Sequence, residues 1–215
     1  MTRKTVVAFG DSLTWGLNPE TGERHTESDR WPTVLQDQLG AAVRVIDEGL
    51  GGRTTIFDDP TAAVDKNGAR ALPIVLATHQ PIDVLIFMLG TNDLKPAICG
   101  AVAGTVMGLE RLHKTVRTFA YHKGCGVPHL LLVSPPRFSI TTSGDQPRLG
   151  RSVEESAKLA DGIGGLARRL GCSFFDAAAV VRSSPVDGVH LDAANTRALG
   201  LAIASHLKSE AMLDV

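Results

Sequence analysis

The sequence has few cysteines, no long apolar run and no excess of charge of either sign. Its three cysteines are scattered without the spacing of metal ligands, so we expect reduced thiols in a cytoplasmic protein and no metal site. No apolar stretch approaches the roughly 20 residues of a membrane span. The N-terminal segment MTRKTVVAFGD has too short an apolar core for a signal sequence. We therefore expect no membrane partner.

Charge and nucleotide motifs exclude further classes of function. The chain carries 22 Lys and Arg against 23 Asp and Glu, a net charge of −1, which argues against a nucleic-acid partner. A P-loop, a clean G-x-G-x-x-G and an HExxH motif are all absent, so we expect no cofactor. The G-x-S-x-G motif of α/β-hydrolases is absent as well, because no serine has glycine at both flanking positions.

Short apolar strands alternate with helical stretches along the chain. The predicted strands are Thr5–Phe9, Val43–Asp47, Val84–Leu89, Leu130–Ser134 and Ser173–Asp176. The runs VVAF, VLIFML and LLLV lack polar alternation, which is typical of parallel strands buried on both faces. The predicted helices are Pro32–Leu39, Ala69–Thr78, Val102–His122, Val153–Leu170 and Ala194–Lys208. This alternation predicts an α/β three-layer sandwich with about five parallel strands, formed by residues 1–215 as one domain.

Polar or glycine-rich segments follow the predicted strands. They are Gly10-Asp11-Ser12, Gly49-Leu50-Gly51-Gly52, Gly90-Thr91-Asn92-Asp93, Ser134-Pro135-Pro136 and, before the last helix, PVDGVHLDAAN. The carboxyl ends of parallel strands meet at one edge of the sheet, where such folds bind ligands. We therefore expect these segments to lie close together.

Ser12 is either a helix cap or a nucleophile, and a nucleophile requires a base. Of the seven histidines, His190 lies at the expected edge and has Asp187 three residues before it. In a turn this spacing lets the carboxylate bind Nδ1 and leaves Nε2 facing a hydroxyl. The structural alternative is a simple turn at Asp187, which would be favoured if Ser12 were absent. Gly52 and Asn92 offer oxyanion donors, although Asn92 alone would fit an Asx turn better.

Taken together, these segments resemble the SGNH (GDSL-type) hydrolases. The four blocks of that family match, in order, Gly10-Asp11-Ser12-Leu13, Gly52 within GLGGRTT, Gly90-Thr91-Asn92-Asp93 and Asp187-Gly188-Val189-His190. The resemblance implies a flavodoxin-like fold, Ser12 as nucleophile, His190 as base and Asp187 as its orienting acid. It also implies that Ser12, Gly52 and Asn92 donate to the oxyanion.

Segments such as DDPT, MLGTNDLK and VSPP look most like the short-chain arylesterase/acyltransferase branch, whose members are often homo-oligomers. The resemblance thus implies hydrolysis of short acyl esters of aryl, alkyl or sugar alcohols, with possible acyl transfer to alcohols. The alternatives are a lysophospholipase or thioesterase of the same superfamily and, in another class, a non-catalytic flavodoxin-like binding module.

The substrate pocket is less well defined by the sequence. Trp15, Leu94 and Val189 adjoin the proposed catalytic groups and are expected to wall a small apolar pocket. The second block departs from the family pattern by reading Gly52-Arg53. Arg53 is therefore expected either to pair with Asp11 or Asp58 or to touch substrate. The long connections Arg53–Gly68 and Pro135–Arg151 are expected to cover the same edge.

Overall fold

A computed structural model describes residues 3–213 and contains the predicted parallel sheet. Its strands are β1 (Lys4–Gly10), β2 (Val43–Gly49), β3 (Val84–Met88), β4 (His129–Ser134) and β5 (Ser173–Asp176). All neighbouring strands pair in parallel, in the order β2-β1-β3-β4-β5. The five-strand prediction is confirmed, and the order is the flavodoxin-like one.

The central strands are apolar on both faces because each face supports its own core. Along β1, Val7 and Phe9 enter one core while Val6 and Ala8 enter the other. In β3 every residue is buried. This explains why the apolar runs in the sequence lack the polar alternation of a strand that has one solvated face.

Helices cover both faces of the sheet and make the fold a three-layer sandwich. After a short α1 (Ser12–Trp15), the helices are α2 (Trp31–Leu39), α3 (Gly68–His79), α4 (Val102–Thr118), α5 (Val153–Ala157), α6 (Leu159–Leu170) and α7 (Ala193–Ser209). Apolar side chains of α3, α4 and α6 fill one core, and those of α2 and α7 fill the other. None of the helices formed by residues 3–213 combines the length and apolar character that a bilayer crossing requires.

Two predicted helices differ from the structure, one in its end and one in its continuity. The helix predicted over Val102–His122 ends at Thr118, because the backbone of Phe119 is extended and its side chain packs against the core. The helix predicted over Val153–Leu170 is two helices, since the Lys158 N–H bonds back to the Glu155 carbonyl, only three residues earlier. Neither interruption has a proline or a strong turn motif to signal it.

The chain reverses its direction of winding between β1 and β3, and this position organises the carboxyl edge. Connections that leave the two strands there run to opposite sides, which opens a crevice above the strand ends. Ser12 follows β1 and Asn92 follows β3. The two segments are thus brought to the same crevice although 80 residues separate them in sequence.

Candidate active site

Ser12 opens the short helix α1 directly above the end of β1. The Asp11 side chain caps this helix by accepting a hydrogen bond from the Leu13 N–H at 2.9 Å. The helix can lie this close to the sheet because Gly49 has no side chain: a Cβ there would sit 2.3 Å from the Trp15 nitrogen. Ser12 itself is almost fully buried.

A hydrogen-bonded chain joins Ser12, His190 and Asp187. Ser12 Oγ lies 2.9 Å from His190 Nε2, and His190 Nδ1 lies 2.5 Å from Asp187 Oδ2. A carboxylate can only accept, so Nδ1 carries the proton and Nε2 is left to accept from the serine hydroxyl. The arrangement gives Ser12 a base in the tautomer that can take its proton.

Asp187 is kept ionised by its own turn. Its Oδ1 accepts hydrogen bonds from the N–H groups of Val189 and His190, at 3.0 and 2.9 Å. Burial acts to raise the pKa of Asp187, but the His190 side chain and the two N–H donors outweigh it and lower the pKa to about 2. A negative charge therefore faces His190 at neutral pH.

The long connection between β4 and α5 holds this turn in place. The Arg148 N–H donates to the Asp187 carbonyl at 2.8 Å, and the Ser139 N–H donates to the Gly188 carbonyl at 3.0 Å. The predicted approach of Pro135–Arg151 to the carboxyl edge is thus visible as backbone hydrogen bonds within one chain.

Two backbone N–H groups at the site, those of Gly52 and Ser12, have no protein acceptor among the described residues. Gly52 adopts a left-handed backbone (φ 85°) in a turn closed by the Arg53 N–H and the Leu50 carbonyl, a conformation that side-chain-bearing residues rarely adopt. Within residues 3–213 neither the Gly52 nor the Ser12 N–H is donated to a protein atom. Both are therefore available to a ligand oxygen.

The Asn92 carboxamide is fixed at both ends. Its Oδ1 accepts from Arg151 Nη2 at 3.0 Å, while Nδ2 donates to the Arg53 carbonyl at 3.0 Å and lies 3.4 Å from Asp11 Oδ2. Because the guanidinium only donates and the carbonyl only accepts, the amide can point one way only. The second Nδ2 hydrogen has only the long contact to Asp11, so it is the one that a stronger acceptor could capture.

Arg151 is a buried cation that sequence reasoning did not select. It is 3% exposed, and Nε donates to the Thr91 carbonyl at 2.9 Å. Burial lowers its pKa to about 10, with Asp11 and Asp187 opposing that shift, so the guanidinium stays charged at neutral pH. No local motif marks Arg151, because its partners Thr91 and Asn92 lie about 60 residues earlier.

A cleft of about 180 Å³ opens over these groups. Ser12, Gly52, Asn92 and His190 line it. The remaining wall is formed by six residues that sequence reasoning did not select: Leu17, Gly51, Lys95, Arg148, Leu149 and Arg151. Lys95 lies three residues after Asn92, and its N–H bonds to the Asn92 carbonyl, but proximity in sequence does not distinguish it from the fully buried Leu94.

The residues expected to wall the pocket lie elsewhere. Leu94 and Val189 are fully buried in the core beside α3, α4 and α6. Trp15 is half-buried under the Arg24 guanidinium, 5.2 Å from its ring centroid. None of the three lines the cleft among the described residues.

Arg53 lies beneath the cleft and does not line it. Its guanidinium is 4.1 Å from the Phe9 ring centroid, and Nη1 donates to the carbonyls of Gly10 and Glu48. In the described part of the chain it forms no ion pair, whereas Asp58 pairs with Arg70. Arg53 thus joins the ends of β1 and β2, and its carbonyl orients Asn92.

The described residues contain no cluster of side chains with the composition of a metal site. Across residues 3–213, the His, Cys, Asp and Glu side chains do not gather in groups of three or more that could hold an ion.

The chain is similar to known esterases and acylhydrolases along most of its length. The model of the GDSL-like lipase/acylhydrolase family matches residues 8–198. A protein from Agrobacterium tumefaciens str. C58, proposed to be an arylesterase, superposes with a TM-score of 0.93 at 49% identity, over 96% of this chain and 99% of that one. A carbohydrate acetylesterase family member from Sinorhizobium meliloti superposes with a TM-score of 0.92 at 47% identity, over 99% of this chain and 100% of that one.

More distant relatives extend the range of activities. The aryl esterase of M. smegmatis superposes with a TM-score of 0.87 at 40% identity, over 96% of this chain and 99% of that one. Thioesterase 1/protease 1/lysophospholipase L1 of Escherichia coli (strain K12) is 29% identical over 91 residues. That match spans 42% of this chain and 36% of the E. coli protein.

Proposed function

Because this chain belongs to the GDSL-like lipase/acylhydrolase family, we propose that it is a serine esterase that hydrolyses short-chain acyl esters of aryl, alkyl or sugar alcohols. The observation that carries the proposal is the chain of hydrogen bonds from Ser12 Oγ through His190 to Asp187. The arylesterase and acetylesterase names of the similar structures support the substrate class.

In the proposed mechanism His190 Nε2 takes the Ser12 proton as Oγ attacks the ester carbonyl. Asp187 stabilises the imidazolium that forms. The resulting oxyanion accepts hydrogen bonds from the N–H groups of Ser12 and Gly52 and from Asn92 Nδ2. His190 then protonates the departing alkoxide or phenoxide, and water attacks the acyl-enzyme with His190 again as base.

Acyl transfer and other leaving groups are part of the same proposal. An alcohol that reaches the acyl-enzyme before water would be acylated in its place. A thioesterase or lysophospholipase activity has the support of the E. coli relative, which matches less than half of this chain. Comparing aryl acetates with acyl thioesters and lysophospholipids separates these activities.

The test is activity and labelling of Ser12→Ala. The variant should lose all but residual hydrolysis of p-nitrophenyl acetate and all labelling by a fluorophosphonate, because both need the serine oxygen. Ser28→Ala, at an exposed serine, is the matched control and should keep both. Loss of a triad member usually costs several orders of magnitude in turnover. The assignment of Ser12 would be refuted if the variant kept more than about 5% of wild-type turnover, or if the label were mapped to another residue. No labelling of the wild type would favour a binding module.

We also propose a homo-oligomer in the cytoplasm. Large apolar side chains are exposed on the two long connections and the Asp187 turn, namely Val64, Ile140, Leu149 and Val186, and a second subunit could cover them. Light scattering after size exclusion tests the oligomer. Cell fractionation tests the location.

A further inference from the structure

The Lys, Arg, Asp and Glu side chains that line the cleft over Ser12 are all cations. Lys95, Arg148 and Arg151 all contribute to its wall, and no aspartate or glutamate among the described residues does so. This contrasts with the near-neutral chain as a whole, whose net charge is −1. The imbalance is therefore a property of the site.

Two of the three cations are already engaged. Lys95 Nζ lies 3.1 Å from Asp59 Oδ2, and both side chains are largely buried. The Arg151 guanidinium donates hydrogen bonds to the Thr91 and Arg148 carbonyls and to Asn92 Oδ1. The carboxylates of Asp11 and Asp187 also interact with this guanidinium, so its positive charge is partly offset.

Arg148 differs in its side chain, which is exposed at the cleft. Within residues 3–213 no carboxylate or carbonyl accepts from its guanidinium. Its backbone is nevertheless fixed by the hydrogen bond to the Asp187 carbonyl. The next residue, Leu149, has a left-handed backbone (φ 62°), which is unfavourable for leucine and marks a turn held by its surroundings.

We propose that this cleft selects esters that carry an anionic oxygen group, a carboxylate or a phosphate, and that Arg148 binds that group. The inference rests on the proposed esterase function. A guanidinium offers paired N–H donors that match both groups, and a charge-assisted hydrogen bond is about twice as strong as a neutral one. Lys95 is paired with Asp59, and Arg151 is held by Thr91, Arg148 and Asn92, so we assign the direct contact to Arg148.

The experiment compares charged and neutral esters in matched pairs. For the leaving group, 4-acetoxybenzoate is compared with its methyl ester, and 4-acetoxyphenyl phosphate provides the phosphate case. For the acyl group, 4-nitrophenyl hydrogen succinate is compared with 4-nitrophenyl butanoate. Each pair is measured with the wild type and with Arg148→Gln, and the charged-to-neutral ratio of kcat/KM is calculated for each protein. Differences in intrinsic ester reactivity cancel when the ratios of the two proteins are compared.

Arg148→Gln should lower the charged-to-neutral ratio by roughly three- to tenfold in at least one pair, and Arg148→Glu should lower it further. The pair that responds tells which end of the ester carries the anion, and the phosphate substrate tells which anion is preferred. Added salt should reduce the wild-type ratio and have less effect on the Arg148→Gln ratio. Arg137→Gln removes an exposed arginine of the same connection that does not line the cleft, and should leave every ratio unchanged.

Equal losses on charged and neutral esters, or no change in any ratio, would overturn the inference. Either result would leave the esterase proposal intact, provided that neutral-ester hydrolysis still depends on Ser12. Loss of Ser12 dependence would instead refute the proposed function itself.

Discussion

At the scale of single residues, the orientation of Asn92 depends on a side chain distant in sequence. Arg151 holds the carboxamide oxygen, and the Arg53 carbonyl takes one amide hydrogen. The remaining hydrogen is aimed by these two contacts. We therefore regard Arg151 as a positioning residue that acts through Asn92, and this relation can be tested with paired variants.

Asn92→Ala should lower kcat by roughly 10²–10³-fold with a smaller change in KM, because an oxyanion donor binds more strongly in the transition state. Arg151→Lys keeps the charge but loses the paired donors, and should lower kcat by about tenfold. In the Asn92→Ala background the same Arg151 change should cost little, since the group it positions is gone. Steady-state kinetics on p-nitrophenyl acetate measure all four proteins. Equal losses in both backgrounds, or an effect confined to KM, would contradict the positioning role.

At the scale of elements, the sequence predicts the strands and most helices because their apolar periodicity reflects burial within each element. The left-handed turn at Leu149 could not be predicted in this way. It is fixed by the Arg148 hydrogen bond to Asp187, a contact between segments about 40 residues apart. The split at Lys158 was missed because a single shortened hydrogen bond leaves the apolar pattern unchanged.

Asp93 links two such elements and gives a test by pH. Its carboxyl oxygens accept from the Thr55 N–H at 2.9 Å and the Thr55 hydroxyl at 2.6 Å, which ties the turn after β3 to the connection after β2. Complete burial raises the pKa of Asp93 to about 6, although the Thr55 bonds oppose the shift. Its charged form is therefore disfavoured in the folded protein.

The folded pKa of Asp93 lies above the unfolded value of 3.8, so the folded state keeps a proton between pH 4 and 6 that the unfolded state releases. Stability from this group is present at low pH and is lost as pH rises through 6. The Asp93→Asn variant has no ionisable group at this position, so it serves as the reference. The free energy of unfolding of the wild type should fall relative to the variant by on the order of 2–3 kcal/mol between pH 4 and 7. Urea titrations across that range measure it, and parallel profiles would contradict the pKa shift.

At the scale of the whole molecule, the sequence predicts that the four segments and the connection Pro135–Arg151 meet at the carboxyl edge, but it does not predict which side chains line the cleft there. The four segments meet there because parallel strands end at one edge. Leu94 and Val189 were expected at the surface of the pocket since they adjoin Asn92 and His190 in sequence. Their side chains point into the core instead. Position along the chain does not determine side-chain direction in a turn. Half of the remaining cleft wall comes instead from Arg148, Leu149 and Arg151, at the end of the connection that was expected over this edge.

The walls that are present still favour small acyl groups. The cleft holds about 180 Å³, below the roughly 300–1,000 Å³ of sites for drug-sized ligands. Leu17 and Leu149 are its larger apolar side chains, and three cations complete the wall. A second pocket of about 300 Å³, lined by Pro60, Ala97 and Ile98 among others, shares Lys95 and Leu149 with the cleft. A long alkyl chain would gain the ~0.8 kcal/mol per methylene that apolar burial provides only by passing Leu149 into that pocket.

We therefore predict that kcat/KM is highest for acetyl or propanoyl esters and falls towards octanoyl. The measurement is kcat/KM for p-nitrophenyl esters with acyl chains of two to ten carbons, taken below their aggregation limits. Leu149→Ala is the informative variant, because it removes apolar wall while leaving the serine and its base in place. If Leu149 closes the acyl site, the variant should shift the preference towards longer chains. A wild-type maximum at eight carbons or more would instead mean that the acyl chain leaves the cleft along an open groove, as in a lipase.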